Sequence, residues 1–156
     1  MKRIVCIIAL AALAVGLLAA CQTETEPVTV HTVRGESEDV GKGELKNVTC
    51  TGSFDGADTF TLTGSDAWRL FDYLNDIRES AEEANSVEDS EHQIYMLFRA
   101  ERSGESVDLG VYQAYDSGYI GWLESTYSSR IYPYPCGENT FGEITDMIKS
   151  AARGRG

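Results

Sequence analysis

The sequence predicts an α+β fold: a single antiparallel sheet of about five or six strands with two helices packed on one face, in the order β-β-α-β-β-β-(β)-α. Three observations carry this expectation. Short runs of period-two alternation punctuated by Gly, Asp and Ser read as strands. Two longer runs carry apolar side chains at the 3.6-residue period of amphipathic helices. The later strand-like runs are joined by turns too short for parallel crossovers, so neighbours must run antiparallel.

The elements follow in order. Leu45, Val48 and Cys50 enter a first strand, Asp55-Gly56-Ala57-Asp58 has turn chemistry, and Thr59-Phe60-Thr61-Leu62-Thr63 alternates, which together make a hairpin. Thr63 to Asp66 offers capping chemistry to a helix whose apolar arc is Ala67, Leu70, Phe71, Leu74, Ile77 and Ala81. Asp72, Asp76, Glu79 and Glu83 fall on its opposite face, as a solvated helix face would place them. Residues 82–91 are acidic and poor in large apolar side chains, an exposed loop. Strands are expected over 93–101, 107–115, 119–125 and 127–134, the last stopped by Pro133-Tyr134-Pro135. Asn139 or Thr140 caps a second helix, with Thr140 and Glu143 at capping-box spacing and Phe141, Ile144, Ile148 and Ala151 on one side.

Composition narrows the function. The 156 residues carry 13 Lys and Arg against 25 Asp and Glu, a formal charge of −12. Clustered cations for phosphate neutralisation are lacking, so no nucleic-acid partner is expected. The apolar fraction of 42% is uneven, because residues 1–20 hold much of it along with two basic and no acidic side chains. Without them the charge becomes two units more negative.

Lys2 and Arg3 precede an apolar run from Ile4 to Ala20, the order of a secretory signal peptide. The run ends in Leu18-Ala19-Ala20-Cys21, which resembles the lipobox of bacterial lipoproteins. That resemblance implies a diacylglyceryl group on the Cys21 sulfur, cleavage before it, and an N-acyl group such as palmitate on the freed amine. Two or three acyl chains hold a protein on a bilayer stably. The implied address is the cell envelope, on the outer face of the cell membrane or on the outer membrane. An uncleaved anchor, or an ordinary signal peptide with a chance Cys, is the plainer alternative. Residues 1–20 thus read as signal peptide, 21–43 as lipidated Cys and flexible acidic tether, 44–152 as a compact domain, and 153–156 as a disordered tail. As a coil, residues 22–43 would span on the order of 25 Å. His31 falls in this tether and has no expected role.

Cys6 leaves with the signal peptide and Cys21 takes lipid, so Cys50 and Cys136 remain. In an exported chain such a pair is expected as a disulfide, contributing about 4–5 kcal/mol on the chain-entropy model. No C-x-x-C spacing or neighbouring His favours a redox or metal pair.

Catalytic chemistry is sparse. His92, beside Asp89, Ser90 and Glu91, is the sole His of the expected domain, no G-x-S-x-G elbow occurs, and the many carboxylates lie in loops or on the outward helix stripe. No catalytic residue, cofactor or metal is assigned. Asp55 and Asp58 fall short of a twelve-residue calcium loop, and Asn47-Val48-Thr49 matches a glycosylation sequon of little meaning behind a bacterial export signal.

Aromatic residues are the remaining signal. Tyr95, Tyr112, Tyr119, Trp122, Tyr132 and Tyr134 are the candidate binding face, with Tyr115 and Tyr127 nearby. Tyr and Trp dominate interface energies and stack on sugars; they also favour cross-strand pairing, which gives the same cluster a purely structural reading. In element order the domain resembles small lipoprotein domains of bacterial envelopes, and loosely the inhibitor modules that present an aromatic sheet face to an enzyme. The expected function is a membrane-anchored, extracytoplasmic, non-enzymatic binding module for a protein, possible partners being cationic ones, as for the acidic inhibitors of lysozyme. The alternatives are a wall-polysaccharide module or a small envelope hydrolase.

Overall fold

The computed structural model describes residues 27–32 and 34–154. The expected signal peptide, Cys21 and the first tether residues lie outside them.

One antiparallel sheet of eight strands carries two helices on one face. The strands are β1 (Val28–Thr32), β2 (Ser37–Val40), β3 (Lys46–Phe54), β4 (Asp58–Thr63), β5 (Gln93–Arg102), β6 (Glu105–Tyr115), β7 (Tyr119–Leu123) and β8 (Tyr132–Pro135). The helices are α1 (Ser65–Ser80) and α2 (Thr140–Arg153). The predicted class and element order hold from β3 onward. Two strands are additional, and both come from the stretch expected to be tether. Val28 and Val30 are buried in the main core, and Val40 pairs with Val28 across the β1–β2 hairpin. Val28 and Val30 at period two, with Val40 across the hairpin, outweigh the acidic composition around them, since the acids Glu36, Glu38 and Asp39 sit where solvent or cations reach them. Arg102 on β5, for example, clamps Glu38 and Glu44.

Strand order is β2-β1-β6-β5-β3-β4, with β7 and then β8 attached to β6. Ile94, Met96, Phe98 and Ala100 of β5 are buried at period two and define the helix-covered face. Phe71 of α1 meets Phe98 and Tyr112 edge to face, with ring centroids 5.3 and 6.3 Å away, so α1 packs on that face. Ile144 and Ile148 of α2 join the same core.

Asn139 is the N-cap residue of α2, as expected, but neither it nor Gly64, the N-cap residue of α1, makes a side-chain capping hydrogen bond. Gly64 precedes α1 with φ +58, a conformation that suits glycine, and supplies no side chain to the helix end. At α2, Thr140 Oγ1 donates to the Cys136 carbonyl at 2.6 Å and Glu143 accepts from the Tyr73 hydroxyl, so both members of the predicted box are otherwise engaged. The predicted strand over 127–134 shortens to β8. Residues 124–131 instead cross the uncovered face, where Thr126 donates N–H and Oγ1–H to Asp108 at 3.3 and 2.9 Å, and Ile131 lies against Gly121. Arg153, expected in the tail, is the last helical residue.

Candidate functional site

The site begins with a defect in β6. Phe98 pairs with Gly110 and Arg99 with Asp108, so Leu109 is an extra residue, a β-bulge. The far edge of β6 is shared by two strands: β1 pairs at Val107 and Asp108, and β7 joins only from Val111. The sheet therefore forks at Leu109 and Gly110, and a cleft of about 600 Å³ opens there.

Four elements wall it. β1 and the residue before it supply Pro27, Val28, Thr29 and His31; α1 supplies Phe71, Asp72, Asn75, Asp76, Arg78 and Glu79; Leu109 is the floor; Trp122 and Glu124 close the β7 side, with Ser37 and Lys42 at the rim. Gly110 has φ +146, and a Cβ there would stand 3.1 Å from Trp122 Nε1, so the indole occupies space that only glycine leaves. Trp122 Nε1 is, among the described residues, the single buried side-chain polar atom without a hydrogen-bond partner. Leaving such a donor unmet costs about 1–3 kcal/mol. The Arg78 guanidinium lies over the Trp122 ring, 4.5 Å from its centroid, and Tyr132 packs beside it at 5.6 Å.

The cleft is net acidic. Lys42 is committed to Asp72 at 2.7 Å and also lies 5.2 Å from the Trp68 ring centre. Arg78 is 3.6 Å from Glu79. Asp76 and Glu124 have no cation within 4.0 Å among the described residues. Across α1, Trp68, Tyr73 and Met147 line a second, shallower groove that shares Asp72 and Asp76 with the cleft. Asp72 and Asp76 of the acidic stripe expected on α1 thus form a ridge between the two concavities, whereas the helix ends at Ser80 and leaves Ala81 and Glu83, expected on it, beyond its end.

The six predicted aromatic residues do not share one face. Register places Met96 opposite Tyr112, Tyr112 opposite Trp122, and Trp122 opposite Tyr132, so these three rings, with Tyr134, belong to the helix-covered side. Tyr112 is completely buried, and burial pushes its hydroxyl well above the usual tyrosine range. Tyr95 and Tyr119 lie on the opposite face. Strand alternation divides the cluster, and of its members only Trp122 lines the cleft.

The expected Cys50–Cys136 bridge is not formed: both thiols are free. Cys50 is buried in β3 under the helices, whereas Cys136 follows β8, and the path between them crosses β5, β6 and β7. At about 4.8 Å per strand that path is on the order of 19 Å, far beyond disulfide reach along the sheet. Cysteine counting limits the possible partners and says nothing of this separation.

His31, given no role from the sequence, is 8% exposed and its Nδ1 is 2.9 Å from Ser37 Oγ. Asp108 stands opposite His31 in the β1–β6 register, yet its carboxylate is held by Arg99 at 3.0 Å and by Thr126. His92 pairs with Asp55 at 3.0 Å, which raises the imidazole's affinity for its proton; Ser90 instead donates to Asp116 and to the His92 carbonyl. Neither histidine is thereby linked into a Ser-His-Asp relay. Among the described residues no group of three or more His, Cys, Asp or Glu side chains is disposed to hold a metal ion, and no helix is long and apolar enough to cross a membrane.

His31, Ser37 and Lys42 were hidden in the expected tether, although the alternation of Val28-Thr29-Val30-His31 marks a strand. Arg78, Asn75 and Phe71 read only as helix positions; nothing in the sequence placed them beside Trp122. No protein family matches the sequence, and neither a curated protein nor a solved structure shows significant similarity to it.

Proposed function

We propose that this chain is a lipid-anchored extracytoplasmic protein whose domain binds a protein ligand and performs no chemistry on it. The lipobox-like Leu18-Ala19-Ala20-Cys21 supports the address. The observation that carries the binding role is the fork cleft. It joins an aromatic wall, a bulge-made floor and carboxylates that no cation pairs among the described residues in one concavity, a combination of apolar body and few convergent polar groups typical of recognition sites. A polysaccharide is the weaker reading, because the Trp122 face that would stack on a sugar ring is already covered by Arg78.

The test uses the full chain in detergent as bait for envelope extract, beside Thr29→Trp, which places an indole at the cleft mouth from an exposed β-strand position. Retention of a discrete protein by the wild type and its loss in the plugged variant are expected. Equal retention by both would contradict a role for the cleft.

A further inference from the structure

We infer that the ligand of this site is a cationic polypeptide segment that straddles the Asp72–Asp76 ridge, with a basic side chain in the fork cleft and an apolar one in the groove beyond. The inference rests on the binding-module reading and specifies its partner.

Charge complementarity selects the occupant. The two cations at the cleft are already engaged, Lys42 by Asp72 and Arg78 by the Trp122 ring and Glu79. Asp76 and Glu124 remain as the carboxylates without a cation among the described residues. A Lys or Arg entering the cleft would meet these carboxylates at its mouth. On the far side of the ridge, Trp68, Tyr73 and Met147 offer apolar surface to the next side chain of the same segment. The formal charge of −12 steers such a partner toward the domain and disfavours anionic ones.

The chain's two tryptophans, Trp68 and Trp122, line the two concavities, so intrinsic fluorescence reports on both. The probe is a synthetic eight-residue peptide alternating Lys and Leu, titrated against the full chain in detergent. Its Glu/Leu counterpart and a neutral N-acetylglucosamine hexamer serve as comparisons. The Lys/Leu peptide is expected to shift the emission and to bind at least tenfold less tightly when salt is raised from 50 to 300 mM. The double variant Asp76→Asn, Glu124→Gln should weaken binding about tenfold with an unchanged Tm. Asp58→Asn with Glu105→Gln removes the same charge outside both concavities and should weaken it less than twofold. Equal weakening by both pairs would overturn the site, leaving only diffuse charge. Binding of the hexamer but not of the peptide would overturn the cationic partner while sparing a binding module, and binding of none of the three, together with equal retention by the plugged variant, would overturn both.

Discussion

Single residues hold the fork open. Gly110 combines a positive φ with the closest approach of the Trp122 indole, so Gly110→Ala must both strain the backbone and displace the ring. A loss of about 1–3 kcal/mol in denaturant unfolding is expected, with a shift in Trp122 emission; an unchanged midpoint would show that the indole does not depend on that space. Asp108 ties the 124–131 segment to β5 through Arg99 and Thr126. Asp108→Ala should cost about 1.5–3 kcal/mol, since hydrogen bonds to a charged group are lost. A smaller clamp joins the β3–β4 turn to the start of β5. Asp55 accepts from the Gln93 N–H at 2.8 Å and from the His92 ring, which together lower its pKa, while donating to Asp55 raises the pKa of His92. Asp55's contribution is present above its unfolded value near 4 and is lost as pH falls through the folded one. His92's is present below about 6.5 and is lost as pH rises through its folded value. The clamp is therefore strongest between about pH 4 and 6.5. In a comparison of Tm at pH 6 and pH 8, Asp55→Asn should remove part of the wild type's advantage at the lower pH; superimposable profiles would refute the coupling.

Among elements, β1 and β2 depart furthest from what their composition suggests. A flexible tether would exchange its amide hydrogens at once, whereas the β1 amides paired to β2 and β6 should be protected for minutes or longer. Hydrogen exchange resolved over residues 27–40 decides between the two. The cysteines offer a second test. Thiol titration of the chain unfolded without reductant should find both Cys50 and Cys136 reactive, while in the folded protein burial pushes the Cys50 thiol up and keeps it silent. A mass lower by two hydrogens would restore the disulfide. Much of the fold was legible because it rests on local pattern: the β3–β4 hairpin, α1, the meander and α2 follow from alternation, helical period and turn residues. The site was less so. Its carboxylate ridge was visible as a stripe on α1, but the fork depends on a one-residue bulge at Leu109, and bulges leave no mark on hydrophobic periodicity. The aromatic cluster misled for a related reason. Density of Tyr and Trp along the chain is one-dimensional, whereas register assigns Tyr112 to the core and Tyr95 to the other face.

At the scale of the whole molecule, the strands at 28–40 shorten the leash proposed from the lipobox. Seven residues from Cys21 to Val28 can reach at most about 25 Å, so an anchored domain stays close to the bilayer, with the Pro27 side of the cleft nearest the anchor. Cys21→Ser should abolish fatty-acid labelling and membrane retention, and persistence of both would exclude the lipid anchor. On the proposed anchoring, the acidic body would meet partners at the membrane surface, and the proposed place of binding is the fork cleft. Site-specific photo-crosslinking in intact cells tests that binding directly, with a photoreactive amino acid at position 37 on the cleft rim, which leaves Asp76 and Glu124 in place, or at position 105 away from it. A discrete adduct with a basic polypeptide is expected from position 37 and none from 105; equal adducts from both positions, or none from 37, would rule the cleft out as the site.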